Sequence, residues 1–166
     1  MSFLEILSYR WLGAFVACLL VAGIAKSDSY CVKKPGARLY SVANENSKVV
    51  WRAPKYTPLL GTGNRKDKMI EVTDVDSQKF WIARKLVSSK LSCLVVRVTR
   101  SKLRSGPGPD YAVAKMKYAD KYEAFVDLGG EDGWTQVRDE TGSKAWIDLD
   151  NVWKPMSKMR ISFDGK

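Results

Sequence analysis

Histidine is absent from the chain, and cysteine occurs only three times, at positions 18, 31 and 93. Without histidine, the Ser-His-Asp and Cys-His catalytic arrangements and every histidine-based metal site are excluded. Three widely spaced cysteines cannot supply a four-thiolate zinc site. The Ser-x-x-Lys spacing occurs nowhere, which removes the Ser-Lys hydrolase arrangement as well. No metal or organic cofactor is implied. Beyond residue 30 no stretch holds a 3.6-residue apolar period for three turns, so long amphipathic helices are missing too. Aromatics are not scarce: 7 Tyr, 6 Trp and 5 Phe within a hydrophobic share of 45% suffice for packed cores. The chain is no disordered basic tail. Its 166 residues suit one ordinary domain or two very small ones.

One long apolar run is present. Residues 11–25 are 15 uninterrupted apolar positions between Arg10 and Lys26, short for a membrane span and suited to the core of a secretory signal. Small residues at Gly23-Ile24-Ala25 and Ala25-Lys26-Ser27 offer cleavage sites. Residues 1–27 are therefore expected to form a signal-peptide helix, with an uncleaved anchor as the alternative. Lipidation at Cys18 fits poorly, because Phe15 stands three residues before it and the apolar run continues beyond. The expectation is an exported protein, periplasmic or extracellular, with no stable membrane span after cleavage. Cleavage leaves Cys31 and Cys93 in an oxidising compartment, where a disulfide between them is expected. It would close about 60 residues and contribute roughly 4 kcal/mol in the chain-entropy model. Two unpaired thiols are the alternative.

The remainder reads as strands. Apolar and polar residues alternate in Met69-Ile70-Glu71-Val72, Trp134-Thr135-Gln136-Val137-Arg138 and Ala145-Trp146-Ile147-Asp148-Leu149. Turn residues recur at Pro35-Gly36, Gly61-Thr62-Gly63-Asn64, Gly106-Pro107-Gly108-Pro109, Gly129-Gly130, Asp132-Gly133 and Thr141-Gly142, a spacing that argues small all-β barrels or sandwiches. The chain also repeats itself. An offset of 65 places Trp81-Ile82 on Trp146-Ile147, Met69-Ile70-Glu71-Val72 on Trp134-Thr135-Gln136-Val137, and Asp74 on Asp139. An offset of 64 pairs Leu39 with Leu103, and one of 62 pairs Cys31-Val32 with Cys93-Leu94. Two copies of one unit follow, over about 31–90 and 91–153.

The second copy resembles the bacterial SH3-like domain. The residues that carry the resemblance are Ser101-Lys102-Leu103-Arg104-Ser105-Gly106-Pro107-Gly108-Pro109-Asp110-Tyr111, then Gly133-Trp134-Thr135-Gln136-Val137, Thr141-Gly142, Trp146-Ile147 and Asn151-Val152. Ala145 stands where that family usually has a glycine. The first copy is worn: Leu39-Tyr40-Ser41-Val42-Ala43-Asn44 replaces the Arg-Ser-Gly-Pro run, and Met69 replaces the mid-domain Trp. The resemblance implies an all-β chain of two tandem SH3-like small barrels, each a half-open barrel of five or six short strands. The expected division is a signal peptide over 1–27, a divergent SH3-like domain over 28–90, an SH3-like domain over 91–153 and a basic tail over 154–166. It also implies an aromatic groove in the second domain, lined by Tyr111, Trp134 and Trp146 with Arg104 and Asp110 at its rim; packing into the core is the other reading for the tryptophans. Such a groove suits sugar faces or an extended peptide.

Catalysis is not expected. The acids Asp127, Glu131, Asp132, Asp139 and Glu140 cluster around turns, where solvated carboxylates are the default. Gly61-Thr62-Gly63-Asn64-Arg65-Lys66 lacks the Gly-Lys-Ser/Thr ending of a phosphate cradle and has no helix after it, so a hairpin loop is expected there. Charge is uneven: residues 31–90 hold 13 Lys and Arg against 5 acids, whereas 91–153 hold 9 against 10. The first domain is therefore a candidate for attraction to an anionic surface, or is basic simply for solubility. Nucleic acid, the usual partner for such a balance, is excluded by export. The expected function is a non-catalytic envelope module binding cell-wall glycan or peptide. The alternative is a periplasmic interaction or scaffold module that takes a peptide or an acidic envelope protein.

Overall fold

The computed structural model describes residues 28–155. The expected signal peptide, and the tail beyond Pro155, lie outside the described residues. Within them the alternating pattern yields fourteen strands in two antiparallel sheets, with two short 3-10 turns and no α-helix. The first sheet contains β1 (Ser29–Val32), β2 (Ala37–Tyr40), β3 (Val49–Ala53), β4 (Pro58–Lys66), β5 (Met69–Thr73), β6 (Lys79–Ala83) and β7 (Val87–Ser88). The second contains β8 (Cys93–Val96), β9 (Arg100–Arg104), β10 (Val113–Asp120), β11 (Ala124–Glu131), β12 (Trp134–Arg138), β13 (Lys144–Asp148) and β14 (Val152–Trp153). Strand order is β3-β2-β6-β5-β4-β1-β7 in one and β10-β9-β13-β12-β11-β8-β14 in the other. Adding seven to each label of the first order gives the second. The fold is all-β and consistent with two tandem SH3-like barrels. Each sheet has seven strands and not the expected five or six, because a 3-10 turn (Arg84–Leu86, Leu149–Asn151) leads into a two-residue strand. That short strand pairs with β1 in the first sheet and with β8 in the second.

The repeat extends to single hydrogen bonds. The Tyr56 and Tyr122 N–H groups donate to the carbonyls of Val32 and Val96, and those of Lys33 and Arg97 to Leu86 and Asn151. Asp74 Oδ1 accepts from the N–H groups of Asp76 and Gln78, and Asp139 Oδ1 from those of Thr141 and Ser143. One expected equivalence is corrected. Cys31 pairs with Pro58 as Val95 pairs with Ala124, so Cys31 corresponds to Val95 and the offset of 62 does not hold. The cysteines occupy different places in the two sheets because they bond to each other: Cys31 and Cys93 form a disulfide with Cα atoms 5.8 Å apart.

Each sheet folds over its own core. Val32, Leu39, Leu59, Val72 and Ile82 fill the first, and their counterparts Val96, Leu103, Phe125, Val137 and Ile147 fill the second. Two expected turns are strand bulges. Residues 61–66 belong to β4, whose register against β5 shifts between Gly61 and Arg65, and the reversal comes at Asp67, which has φ 53°. Gly129-Gly130 likewise lies inside β11 at a register shift, and Asp132 makes the reversal with φ 49°. Gly130 is required there: a Cβ would sit 1.9 Å from the Trp134 carbonyl oxygen. Glycine within a strand marks a bulge or a close backbone approach as readily as a turn.

Candidate functional site

In β9, β12 and β13 every second residue enters the second core, and the residues between them face outward. Leu103, Thr135, Val137, Ala145 and Ile147 are buried, while Arg104, Trp134, Gln136 and Trp146 are half-buried on the opposite face. Register brings these together. Trp146 stands directly opposite Arg104 on one side and Gln136 on the other, and Trp134 stands opposite Asp148. Trp134 is thus a diagonal neighbour of Trp146, within reach of large side chains. The result is an aromatic surface with a guanidinium at one end and an amide in its middle. Arg138 continues the row on β12, and its Nε is covered and unpaired among the described residues.

The loop after β9 adds the third aromatic ring. Pro107 and Pro109 restrict the backbone, and Arg104 Nη1 donates to the Tyr111 carbonyl oxygen at 3.0 Å. The Ser105 N–H donates to the Ala112 carbonyl oxygen at 2.8 Å and closes the loop. Tyr111 folds back over Gly106, where a Cβ would lie 2.2 Å from Cδ1 of the ring. Only glycine leaves that seat open. Tyr111 is 50% exposed, so one side of it is braced by backbone while much of the residue meets solvent. Asp110 beside it is exposed and makes no hydrogen bond among the described residues. The structure therefore gathers Arg104, Trp134 and Trp146 on one face, with Tyr111 tied to Arg104 and Asp110 following along the loop.

Glu131, Asp132 and Glu140 are exposed, as expected of turn carboxylates, but one of the five acids is not. Asp127 is no solvated turn carboxylate: its side chain is 4% exposed and ion-paired with Lys154. It also accepts from Thr135 Oγ1 at 2.6 Å, the Gly129 N–H at 3.0 Å and Ser92 Oγ at 3.0 Å. Burial opposes its ionisation, but the Lys154 ammonium with the Thr135 and Gly129 donors outweighs that and holds the carboxyl below its usual range. Lys154, expected in the tail, is thereby fixed to the second sheet. Asp139 is engaged by its own turn, as described above. In the first sheet Glu71 accepts from Thr62 Oγ1 and Asn64 Nδ2, and these bonds hold its carboxyl low. The glycine-rich stretch over 61–66 thus donates to a carboxylate within its own sheet. These acids serve as acceptors that tie strands together.

Sequence reasoning missed two clefts where the sheets meet. One, of about 360 Å³, is lined by Trp51, Pro58, Phe80, Val95 and Tyr122 among others. The Trp51 and Phe80 rings lie 5.9 Å apart and tilted by 44°. Tyr122 Oη donates to Asp76 Oδ2 at 2.9 Å across the junction. The other, of about 610 Å³, brings together Lys55-Tyr56 and Lys121-Tyr122. In both turns the tyrosine has positive φ (66° and 72°) and the lysine Nζ stands 4.7 Å from the ring centroid. The repeated Lys-Tyr pair was the available signal.

Residues 97–154 match the family model of the bacterial SH3 domain. The match holds β9 to β14 whole and so includes all five residues expected to bind ligand: Arg104, Asp110, Tyr111, Trp134 and Trp146. It begins after β8 and leaves the first sheet outside. No curated protein matches the chain. Among solved structures the chain is similar to NlpC2 from Trichomonas vaginalis, at 13% identity and a TM-score of 0.35, covering 78% of this chain and 48% of that one. It is similar also to NlpC1 from the same organism, at 14% identity and a TM-score of 0.35, covering 87% of this chain and 50% of that one. The chain spans about half the length of these two proteins.

Proposed function

We propose that this chain is a non-catalytic, exported binding module of the cell envelope, divided into SH3-like units over 28–90 and 91–153. Its ligand is peptidoglycan or another wall component, held on the second unit. The observation that carries this reading is the outward row Arg104–Trp146–Gln136 with Trp134 and the glycine-seated Tyr111 beside it. Flat aromatic faces pack on sugar faces or peptide backbone, while a guanidinium and an amide at fixed positions supply orienting hydrogen bonds. The bacterial SH3 match over the same residues supports it. Export is supported by the disulfide, which belongs to an oxidising compartment, and by the apolar run over 11–25.

The test is retention of the chain lacking residues 1–27 on purified peptidoglycan sacculi. Wild-type protein is expected to be retained at low salt. Trp134→Ala and Tyr111→Ala should each weaken retention about tenfold, the usual effect of losing an aromatic anchor. Equal retention of all three proteins would remove the aromatic surface from the account. A second reading, a peptide-taking interaction module, is favoured by the apolar cleft at Trp51 and Phe80; in-cell cross-linking would then recover a protein.

A further inference from the structure

The repeat supplies its own comparison. After the shared Trp-Ile pair the first unit continues Ala83-Arg84-Lys85, and the second continues Asp148-Leu149-Asp150. Both segments lead into or form the same 3-10 turn. Two carboxylates in one copy are thus replaced by an alanine and a lysine at the corresponding places in the other. The charge of one structural turn has been reversed while its backbone is kept.

That turn borders a cleft of about 350 Å³ whose lining includes Lys34, Arg38, Tyr40, Glu45 and Lys85. Three cations face one acid. The pair they can form is weak, with Lys85 Nζ 3.9 Å from Glu45 Oε2 and both side chains well exposed. Arg38 adds a second anomaly, because it stands directly opposite Arg52 across β2 and β3. Like charges placed there repel, and neither guanidinium has an acidic partner among the described residues. Tyr40 adds a further donor. It is 3% exposed and lines the cleft, yet its hydroxyl makes no hydrogen bond among the described residues. The hydroxyl oxygen itself is not sealed from solvent, so it stays open to donate to a group held in the cleft.

We propose that this cleft binds a phosphate group carried on a polyanion. A guanidinium fork, two ammonium groups and a phenolic hydroxyl offer more donors than the two oxygens of a carboxylate accommodate, and they suit the larger oxygen set of a phosphate. The cleft lies on the first unit, so it stands or falls separately from wall binding through the second.

The experiment is calorimetric titration of the mature chain with linear polyphosphate at low salt, with polyglutamate of equal charge as comparator. Lys85→Asp installs the residue that the second unit carries in the same turn. It is expected to weaken polyphosphate binding about tenfold, as is Arg38→Gln. Lys90→Asp makes the same charge change in the exposed linker and should leave affinity within about twofold. Equal losses for Lys85→Asp and Lys90→Asp would reduce the effect to net charge and overturn the site. So would an unchanged affinity in Lys85→Asp, or no polyphosphate binding by the wild type. Polyglutamate binding as tight as polyphosphate would overturn the phosphate assignment.

Discussion

Reduction of the Cys31–Cys93 bridge is expected to unfold the first sheet selectively and leave the second standing. The two cysteines are separated by 62 positions, and that span encloses nearly all of the first sheet. Chain-entropy arithmetic gives a loop of this size about 4 kcal/mol. A unit of some 60 residues has roughly 3 to 9 kcal/mol to lose, so the first unit forfeits a large share of its stability. The second unit contributes only Cys93, at the start of β8, and no loop of its own is closed by the bridge. Both sulfurs are buried, with Cys31 0% and Cys93 1% exposed, so Cys31→Ser with Cys93→Ser is the cleaner comparison for slow reduction. Amide hydrogen exchange reads the outcome. Leu39, Val72 and Ile82 should exchange faster in the serine variant, whereas Leu103, Val137 and Ile147 keep their protection. Equal acceleration in both sets would show that the sheets unfold as one body, and unchanged rates would show that the bridge contributes nothing.

Asp127→Ala is the second large effect, and it should fall on the other unit. Asp127 joins the Ser92 segment, β11, β12 and Lys154 through one nearly buried carboxylate. Its removal leaves the buried Thr135 hydroxyl without an acceptor and frees the chain at Lys154. A loss of about 2–4 kcal/mol is expected, the range for removing one partner from a buried, hydrogen-bonded charge. The pH dependence follows from the lowered carboxyl. A carboxyl more acidic in the folded state contributes stability that is fully present above its unfolded value of about 3.9. That contribution fades as pH falls through the lower folded value. Urea unfolding of wild type and variant should therefore differ by the full amount at pH 7 and by progressively less as pH falls below about 4. A difference that is independent of pH would assign the loss to packing.

The architecture was legible because both of its signals are local. Alternation in Trp134-Thr135-Gln136-Val137-Arg138 becomes β12, and the offset of 65 reappears as Trp81 and Trp146 in corresponding registers. The five residues expected at the groove came from the family resemblance, and the structure puts Arg104, Trp134 and Trp146 on one face with Tyr111 tied to Arg104. What failed was of a different kind. Glycines at 61, 63, 129 and 130 carry a turn signal, yet the same residue serves a bulge, and only the pairing partner decides between them. Asp127 looks solvated in the sequence because its partners, Ser92 and Lys154, lie 35 and 27 positions away. Aligning Cys31 with Cys93 followed residue identity, whereas the disulfide needs the two to approach each other and not to correspond. The clefts between the sheets depend on how two units meet, which no period within either unit encodes.

Chemical-shift mapping of the labelled chain lacking residues 1–27 with a soluble disaccharide-peptide fragment of peptidoglycan addresses the ligand surface most directly. Saturable shifts should concentrate on the backbone of Arg104, Tyr111 and Gln136 and on the indole N–H signals of Trp134 and Trp146. If those signals stay fixed while Trp51 and Tyr122 move, or if nothing moves at high fragment concentration, the assignment of binding to the second sheet is wrong.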